Sequence, residues 1–146
     1  MRLAGRIRKV GRHWLVEVPV LDATTQGRTR AEAFAMIADL VATMANKPGF
    51  TVKLFSRSGN EFEIGTPGTT ALVAVILRRQ REKNGLSLAE VAKRLGARSR
   101  TAYVRYEQGK GIPSVEKLFE LLAAVAPAED FVFRESLFLT RSAVGG

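Results

Sequence analysis

LSLAEVAKRLGARSRTAYVRYEQGKGIP, residues Leu86 to Pro113, decides the fold of the second half of the chain. Apolar residues recur at helical spacing on both sides of Leu95-Gly96, which predicts two short amphipathic helices, Leu88–Leu95 and Ser99–Gln108, joined by a tight turn. At about 100° per residue, Arg100, Thr101, Val104 and Arg105 fall within an arc of roughly 140°, with Ala102, Tyr103 and Tyr106 on the opposite side. A helix with aromatics inward and Arg, Thr and Arg outward, pinned across a second helix, presents its polar face for reading from outside. This is the arrangement that places a recognition helix in the major groove of DNA.

The rest of the motif is consistent with that reading. Ala92 is small where two helices must cross closely, and Gly96 suits a left-handed turn position that a side chain resists. Val91, Leu95, Tyr103, Tyr106, Leu118 and Leu121 are the expected core. Arg100 and Arg105 have the fork that matches guanine O6 and N7, while Thr101 and Val104 are suited to a thymine methyl. Ser87, Arg98, Ser99 and Lys110 are expected to hold phosphates, which fixes the helix on the duplex without specifying sequence. For Arg78, Arg79, Arg81 and Lys83, phosphate contact and simple solvation stay equally open.

Charge agrees in sign. The chain has 146 residues and a formal net charge of +9. Residues 72–111 hold ten Lys or Arg against three acids, a net of +7, the electrostatic footprint of a polyanion binder. There is no cysteine and a single histidine, His13. Disulfides, thiolate chemistry and multi-histidine metal sites are thereby excluded, and no cofactor or metal is expected. The longest apolar run, Ala71–Leu77, is too short to span a bilayer. No apolar segment follows the basic N-terminus, so a cytoplasmic protein without membrane contact is expected.

The first half has a different rhythm. Leu3–Val10 and His13–Val20 flank Gly11-Arg12 as a predicted hairpin, with Trp14, Val16, Val18 and Val20 on one face of the second strand. Ala23–Gly27 is a third short strand. Thr29-Arg30-Ala31-Glu32 is a capping box, opening a helix whose stripe is Phe34, Ile37, Ala38, Val41 and Met44 and which ends at Asn46-Lys47-Pro48-Gly49. Phe50–Ser56 and Glu61–Ile64 read as two more strands. Gly65-Thr66-Pro67-Gly68-Thr69-Thr70 suits neither helix nor strand and marks a boundary. The expected organisation is therefore a sheet-and-helix domain at 1–64, a linker at 65–70 and a helical domain at 71–146. Within the last, helices are predicted over Ala71–Asn84, the two of the motif, and Ser114–Ala126 capped by Ser114; Phe131–Leu139 reads as strand or helix.

Two resemblances sharpen this. Leu86-Ser87, Ala92, Leu95-Gly96, Glu107-Gln108-Gly109 and Pro113-Ser114 resemble the Cro/phage-repressor (Xre) class of helix-turn-helix, with a loop after Gly96 one residue longer than usual for that class. Trp14–Leu21, Thr25-Gln26-Gly27 and Thr29-x-x-Glu32-Ala33 look like the HicB antitoxin family. The resemblance implies an α+β protein: a small antiparallel sheet with one helix, partially RNase H-like, joined to an all-α helix-turn-helix domain. It also implies an antitoxin that neutralises a small HicA-like ribonuclease toxin and represses its own operon as a homodimer or tetramer on double-stranded operator DNA. It assigns no toxin-contact residues in this chain. In this chain the family's turn after the second strand is replaced by Asp22-Ala23-Thr24, and residues 1–66 hold ten Lys or Arg against six acids. An orphan repressor whose first domain only oligomerises or senses a ligand is the alternative; an inhibitor whose basic patch touches RNA is a third. RNase H-type catalysis needs clustered carboxylates for two metal ions. Glu17, Asp22, Glu32 and Asp39 are not patterned as a cluster, so no enzyme is expected.

Overall fold

Period-2 burial along the first strand sets the architecture of the N-terminal half: Leu3, Gly5 and Ile7 face inward while Ala4, Arg6 and Arg8 face out. The structure is a computed structural model describing residues 1–56, 59–96 and 100–136. Among those residues it holds five strands and five α-helices in two compact units, Met1–Pro67 with Glu135 and Ser136, and Gly68–Arg134. The α+β class is as expected.

In the first unit, β1 (Arg2–Val10), β2 (His13–Val18), β3 (Ala23–Gly27), β4 (Lys53–Ser56) and β5 (Glu61–Gly65) form one antiparallel sheet in the order β3-β2-β1-β5-β4. Helix α1 (Arg30–Ala45) covers one face, burying Ala33, Phe34, Ile37 and Val41. Phe34 meets Phe62 edge to face at 5.2 Å. Phe62 lies over Gly5, its ladder partner, where an added Cβ would stand 2.2 Å from the ring.

Several boundaries differ from expectation for identifiable reasons. β2 stops at Val18, because Pro19–Leu21 form a 3₁₀ turn closed by Asp22 in the left-handed region at φ 49°. The turn breaks the alternation: Leu21 becomes fully buried and Val20 does not continue the inner face. β4 begins at Lys53 instead of Phe50, whose N–H closes a turn onto the Lys47 carbonyl at 3.1 Å. The Thr29 cap forms, with Oγ1 accepting from the Glu32 N–H at 3.0 Å, but the Glu32 carboxylate accepts from Arg28 N–H instead of completing the box on Thr29.

The second unit contains α2 (Thr69–Lys83), α3 (Leu88–Arg94), α4 (Arg100–Glu107) and α5 (Val115–Val125). Only Thr66–Gly68 lie between β5 and α2, so the expected six-residue linker is mostly absorbed by its neighbours. Ala71–Leu77 are all buried, as are Val91, Ala92, Tyr103, Leu121, Leu122, Ala124 and Val125. Leu95, Tyr106 and Leu118 are half-buried, and Ala102, expected inward, is exposed. Gly96 ends the turn after α3 at φ 65°. Ser114 caps α5, accepting from the Lys117 N–H at 3.1 Å.

The C-terminal segment departs most from the expected layout. Residues 131–136 form neither strand nor helix, and residues 137–139 lie outside the described residues. Ser136 belongs with the sheet, not with the helices: its hydroxyl donates to Glu63, accepts from Arg2 Nη1 at 3.1 Å, and Arg2 also reaches Glu63 at 3.1 Å. The Arg2 guanidinium also lies 3.6 Å over the Phe55 ring, and the buried Glu63 carboxylate on the outer sheet face is held by both Arg2 and Ser136.

Gly27 tests the packing of helix on sheet. A Cβ there would stand 2.4 Å from the Ala33 backbone nitrogen, which cannot move without lifting α1. Gly27→Ala is expected to lower the stability of the sheet domain by about 1–3 kcal/mol, read as a shifted urea midpoint.

Candidate nucleic-acid interface

The site is held together by an ion pair with no partner in the local sequence. Arg81, at the end of α2, donates from Nε to Glu107 Oε1 at 2.6 Å and from Nη2 to Oε2 at 3.1 Å, a bidentate fork across 26 positions. Its remaining nitrogen reaches the Leu86 carbonyl at 3.0 Å. The Tyr103 hydroxyl donates to the same Glu107 oxygen at 2.6 Å. The side chains of Arg81 and Glu107 are only 15% and 8% exposed. Together these contacts tie α4 to the end of α2 and to the loop that leads into α3.

Titration follows from the geometry. Burial, then the hydrogen bond to Glu107, pushes the Tyr103 hydroxyl far above the usual tyrosine range. The hydrogen bonds to Glu107 raise Arg81 further. At the start of α3, Ser87 and Glu90 form a complete capping box: Ser87 Oγ accepts from Glu90 N–H at 3.1 Å and the Glu90 carboxylate accepts from Ser87 N–H at 2.7 Å. That backbone bond holds the Glu90 carboxyl below its usual range.

With Tyr103 held inward, the other face of α4 is presented. Arg100, Thr101, Val104 and Arg105 line one concave groove of about 600 Å³. Lys110 joins them, because its N–H donates to the Arg105 carbonyl at 3.0 Å and the chain folds back on itself. Leu88 from α3 and Gln108 complete the wall. All four expected base readers and one expected phosphate contact therefore share a single surface. Ser87 sits at the start of α3 with its N–H occupied by Glu90, leaving the hydroxyl proton to donate. Arg98 and Ser99 lie outside the described residues.

The structure also sorts the cations that charge counting had pooled. Arg81 serves Glu107, Arg79 pairs with Glu82 at 3.2 Å, Lys83 with Glu129 at 2.8 Å, and Arg94 donates to the Ala124 carbonyl at 3.2 Å. Among the described residues, the side chains of Lys93, Arg100, Arg105 and Lys110 engage no acid. Arg81 and Glu107 were not assigned this pairing from sequence, although a signal existed. Arg81 lies one turn beyond the buried Leu77 and Glu107 one turn beyond the buried Tyr103, so two opposite charges extend inner stripes.

The carboxylates weighed for catalysis are occupied or dispersed: Glu17 pairs with Arg6 at 3.1 Å and Glu32 caps α1. Among the described residues, no three His, Cys, Asp or Glu side chains gather as a metal site, and no helix is long and apolar enough to cross a membrane.

Residues 77–125, about a third of the chain, match the family described as helix-turn-helix. No curated protein matches the chain. The chain thus carries a Cro/Xre-type helix-turn-helix domain, a module of sequence-specific DNA binding and transcription regulation.

Removing Glu107 leaves a largely buried guanidinium without its counter-charge and the Tyr103 hydroxyl without its acceptor. Glu107→Ala is expected to cost about 3 kcal/mol, and Arg81→Met combined with Glu107→Leu less than the two separately, as read by denaturant titration of the four variants of the cycle. For Tyr103, the folded-state pKa lies above that of the unfolded chain. Its contribution is therefore complete below about pH 10 and is lost as pH rises beyond that point. The unfolding midpoint should fall above pH 10, less steeply in Tyr103→Phe, with Tyr103 tyrosinate absorbance arriving only on unfolding.

Proposed function

We propose that the protein is a transcriptional repressor that reads a two-fold operator as a dimer or tetramer in the cytoplasm, has no catalytic activity, and serves as the antitoxin of a toxin–antitoxin pair. The groove supports the DNA reading most directly: Arg100 and Arg105 approach guanines, Thr101 and Val104 approach thymine methyls, and Lys110 and the Ser87 hydroxyl hold phosphates. One such helix reads only a half-site, and a symmetric pair supplies the other. Arg98 and Ser99 extend the phosphate contacts.

The antitoxin role rests on the first unit. Its antiparallel sheet with the single Thr29-capped helix is compatible with the small sheet and one helix that the HicB resemblance implies. The partner would be a HicA-like ribonuclease, bound by this unit and released from RNA.

One observation favours the orphan-regulator reading. The β1–β2 hairpin tip carries Arg8, Lys9, Arg12 and His13, all exposed and, among the described residues, facing no acid. A toxin that binds RNA is itself basic, so this tip opposes such a partner.

Binding to the DNA upstream of the gene is the test. Arg100→Ala and Arg105→Ala should each lose about 1–3 kcal/mol on the operator while leaving binding to unrelated duplex nearly unchanged. Lys110→Ala should weaken both alike and reduce the salt slope by about 0.9. Unchanged operator affinity in both arginine variants would remove Arg100 and Arg105 from the interface. Co-purification with the product of a small basic neighbouring gene separates antitoxin from orphan regulator.

A further inference from the structure

The α4 groove leaves one concentration of charge unexplained, at the end of the sheet where β1 turns into β2. The two strands close on the Val10–His13 pair around a two-residue loop, Gly11-Arg12. Gly11 takes φ 59°, the value that the first position of such a loop reserves for glycine. Arg8 has the parity of the outer sheet face and Lys9 that of the inner face, while Arg12 stands in the loop; all three are exposed. Positive charge is thus presented on both sides of the hairpin and at its end. Arg28 joins them, because it follows Gly27, the ladder partner of Trp14. Among the described residues, none of these four side chains engages an acid.

Nearby acids do not cancel the charge. Glu17 and Glu61 both lie opposite Arg6, with Glu17 paired to it at 3.1 Å, and the Glu32 carboxylate accepts from the Arg28 N–H. Arg30, at the same end, donates to the Gly59 carbonyl and lies over the Trp14 ring. Six Lys or Arg therefore stand against three acids here, a net of +3 among the described residues.

We propose that this hairpin is a second contact to duplex DNA, in which Arg8, Lys9 and Arg12, with Arg28 behind them, hold backbone phosphates outside the half-site. The proposal goes beyond the α4 groove and rests on that reading in one respect: the groove brings the duplex to the chain. Three observations select a duplex over other acidic partners. The first is composition. Val10, 46% exposed, is the one large apolar side chain exposed at the tip, and Trp14 is half-buried under Arg30. Protein interfaces have apolar or aromatic centres and are depleted in Lys, so an acidic protein would find only a rim.

The second is strength. A few basic residues without an amphipathic helix or a lipid chain hold an anionic membrane only marginally. On a duplex already bound through the same chain, a weak contact is intramolecular and still counts. The third is shape. The major groove of B-form DNA admits a two-stranded ribbon, whose cations on both faces and at the end then meet phosphates on either wall. The major groove of A-form RNA is too narrow for it, and single-stranded RNA binds by stacking on open aromatic faces.

Titration of the full chain onto a fluorescent duplex of arbitrary sequence and onto the DNA upstream of the gene, at several salt concentrations, tests this. Arg8→Gln, Lys9→Gln and Arg12→Gln combined should leave circular dichroism unchanged and reduce the salt slope by about 2.7 on both duplexes. The advantage of wild type over that variant should then shrink roughly 40-fold between 50 and 200 mM salt. Arg12→Gln alone, in the loop and outside the ladder, should reduce the slope by about 0.9 and serves if the triple change disturbs the sheet. Arg8→Lys with Arg12→Lys should keep the wild-type slope, because a phosphate requires only the charge. An unchanged slope in both the triple variant and Arg12→Gln would overturn the proposal. So would a loss seen only on single-stranded RNA or on phosphatidylserine vesicles, which would assign the tip to that partner instead. Arg100→Ala with Arg105→Ala should lose the preference for upstream over arbitrary DNA while keeping the slope that the tip supplies. If that preference survives, the reading of the α4 groove fails, and a slope reduced by the tip variant still stands.

Discussion

The Arg81–Glu107–Tyr103 cluster is the constraint from which the DNA-facing surface follows. A short helix such as α4 has little intrinsic stability, and it buries fully only one side chain, Tyr103. Apolar contact alone would leave its rotation about its own axis weakly fixed. The bidentate bond from Arg81 and the hydroxyl of Tyr103 converge on the same carboxylate, which fixes both rotation and axial position. Arg81 also holds the Leu86 carbonyl, so the path into α3 is set by the same group. With the rotation fixed, Arg100, Thr101, Val104 and Arg105 must face out together. Specificity of arrangement is the better-supported role for such a pair, since a hydrophobic replacement of equal volume often matches its stability.

A comparable economy appears at the other end of the helical unit. The last carbonyls of α5 lack intrahelical partners, and the unit satisfies them from a distance: Asn84 Nδ2 donates to Val125 at 3.0 Å and Arg94 to Ala124 at 3.2 Å. In the sheet unit, the Arg2–Glu63–Ser136 contacts close off a charged residue that would otherwise be stranded on the outer face. In each case a long polar side chain from one element completes the backbone or charge of another. Such groups read in sequence as surface residues.

That explains which parts were legible in the sequence and which were not. Hydrophobic periodicity and turn chemistry are local, so the hairpin, the Thr29 and Ser114 caps, the left-handed Gly96 and the outward arc of α4 could be read directly. The end of β2 could not be, because Val20 continues the alternation perfectly and only the local geometry of Pro19–Asp22 brings Leu21 inward. Ala102 was misplaced because a seam that buries Tyr103 fully and Tyr106 by half is narrower than the arc assigned to it. The pairings of Arg81 and Arg94 were invisible because their partners lie 26 and 30 positions away.

The sorting of cations has a consequence for how the protein must work. A net of +7 over residues 72–111 implies strong attraction to any polyanion, but among the described residues of that stretch only Lys93, Arg100, Arg105 and Lys110 keep their charge disengaged. Four contacts would release counterions with a slope of about −3.6. From 50 to 200 mM salt, four such contacts would lose on the order of 100-fold in affinity. The charge used internally to orient α4 is thus charge withdrawn from any polyanion, and the stretch attracts one less strongly than its net charge suggests.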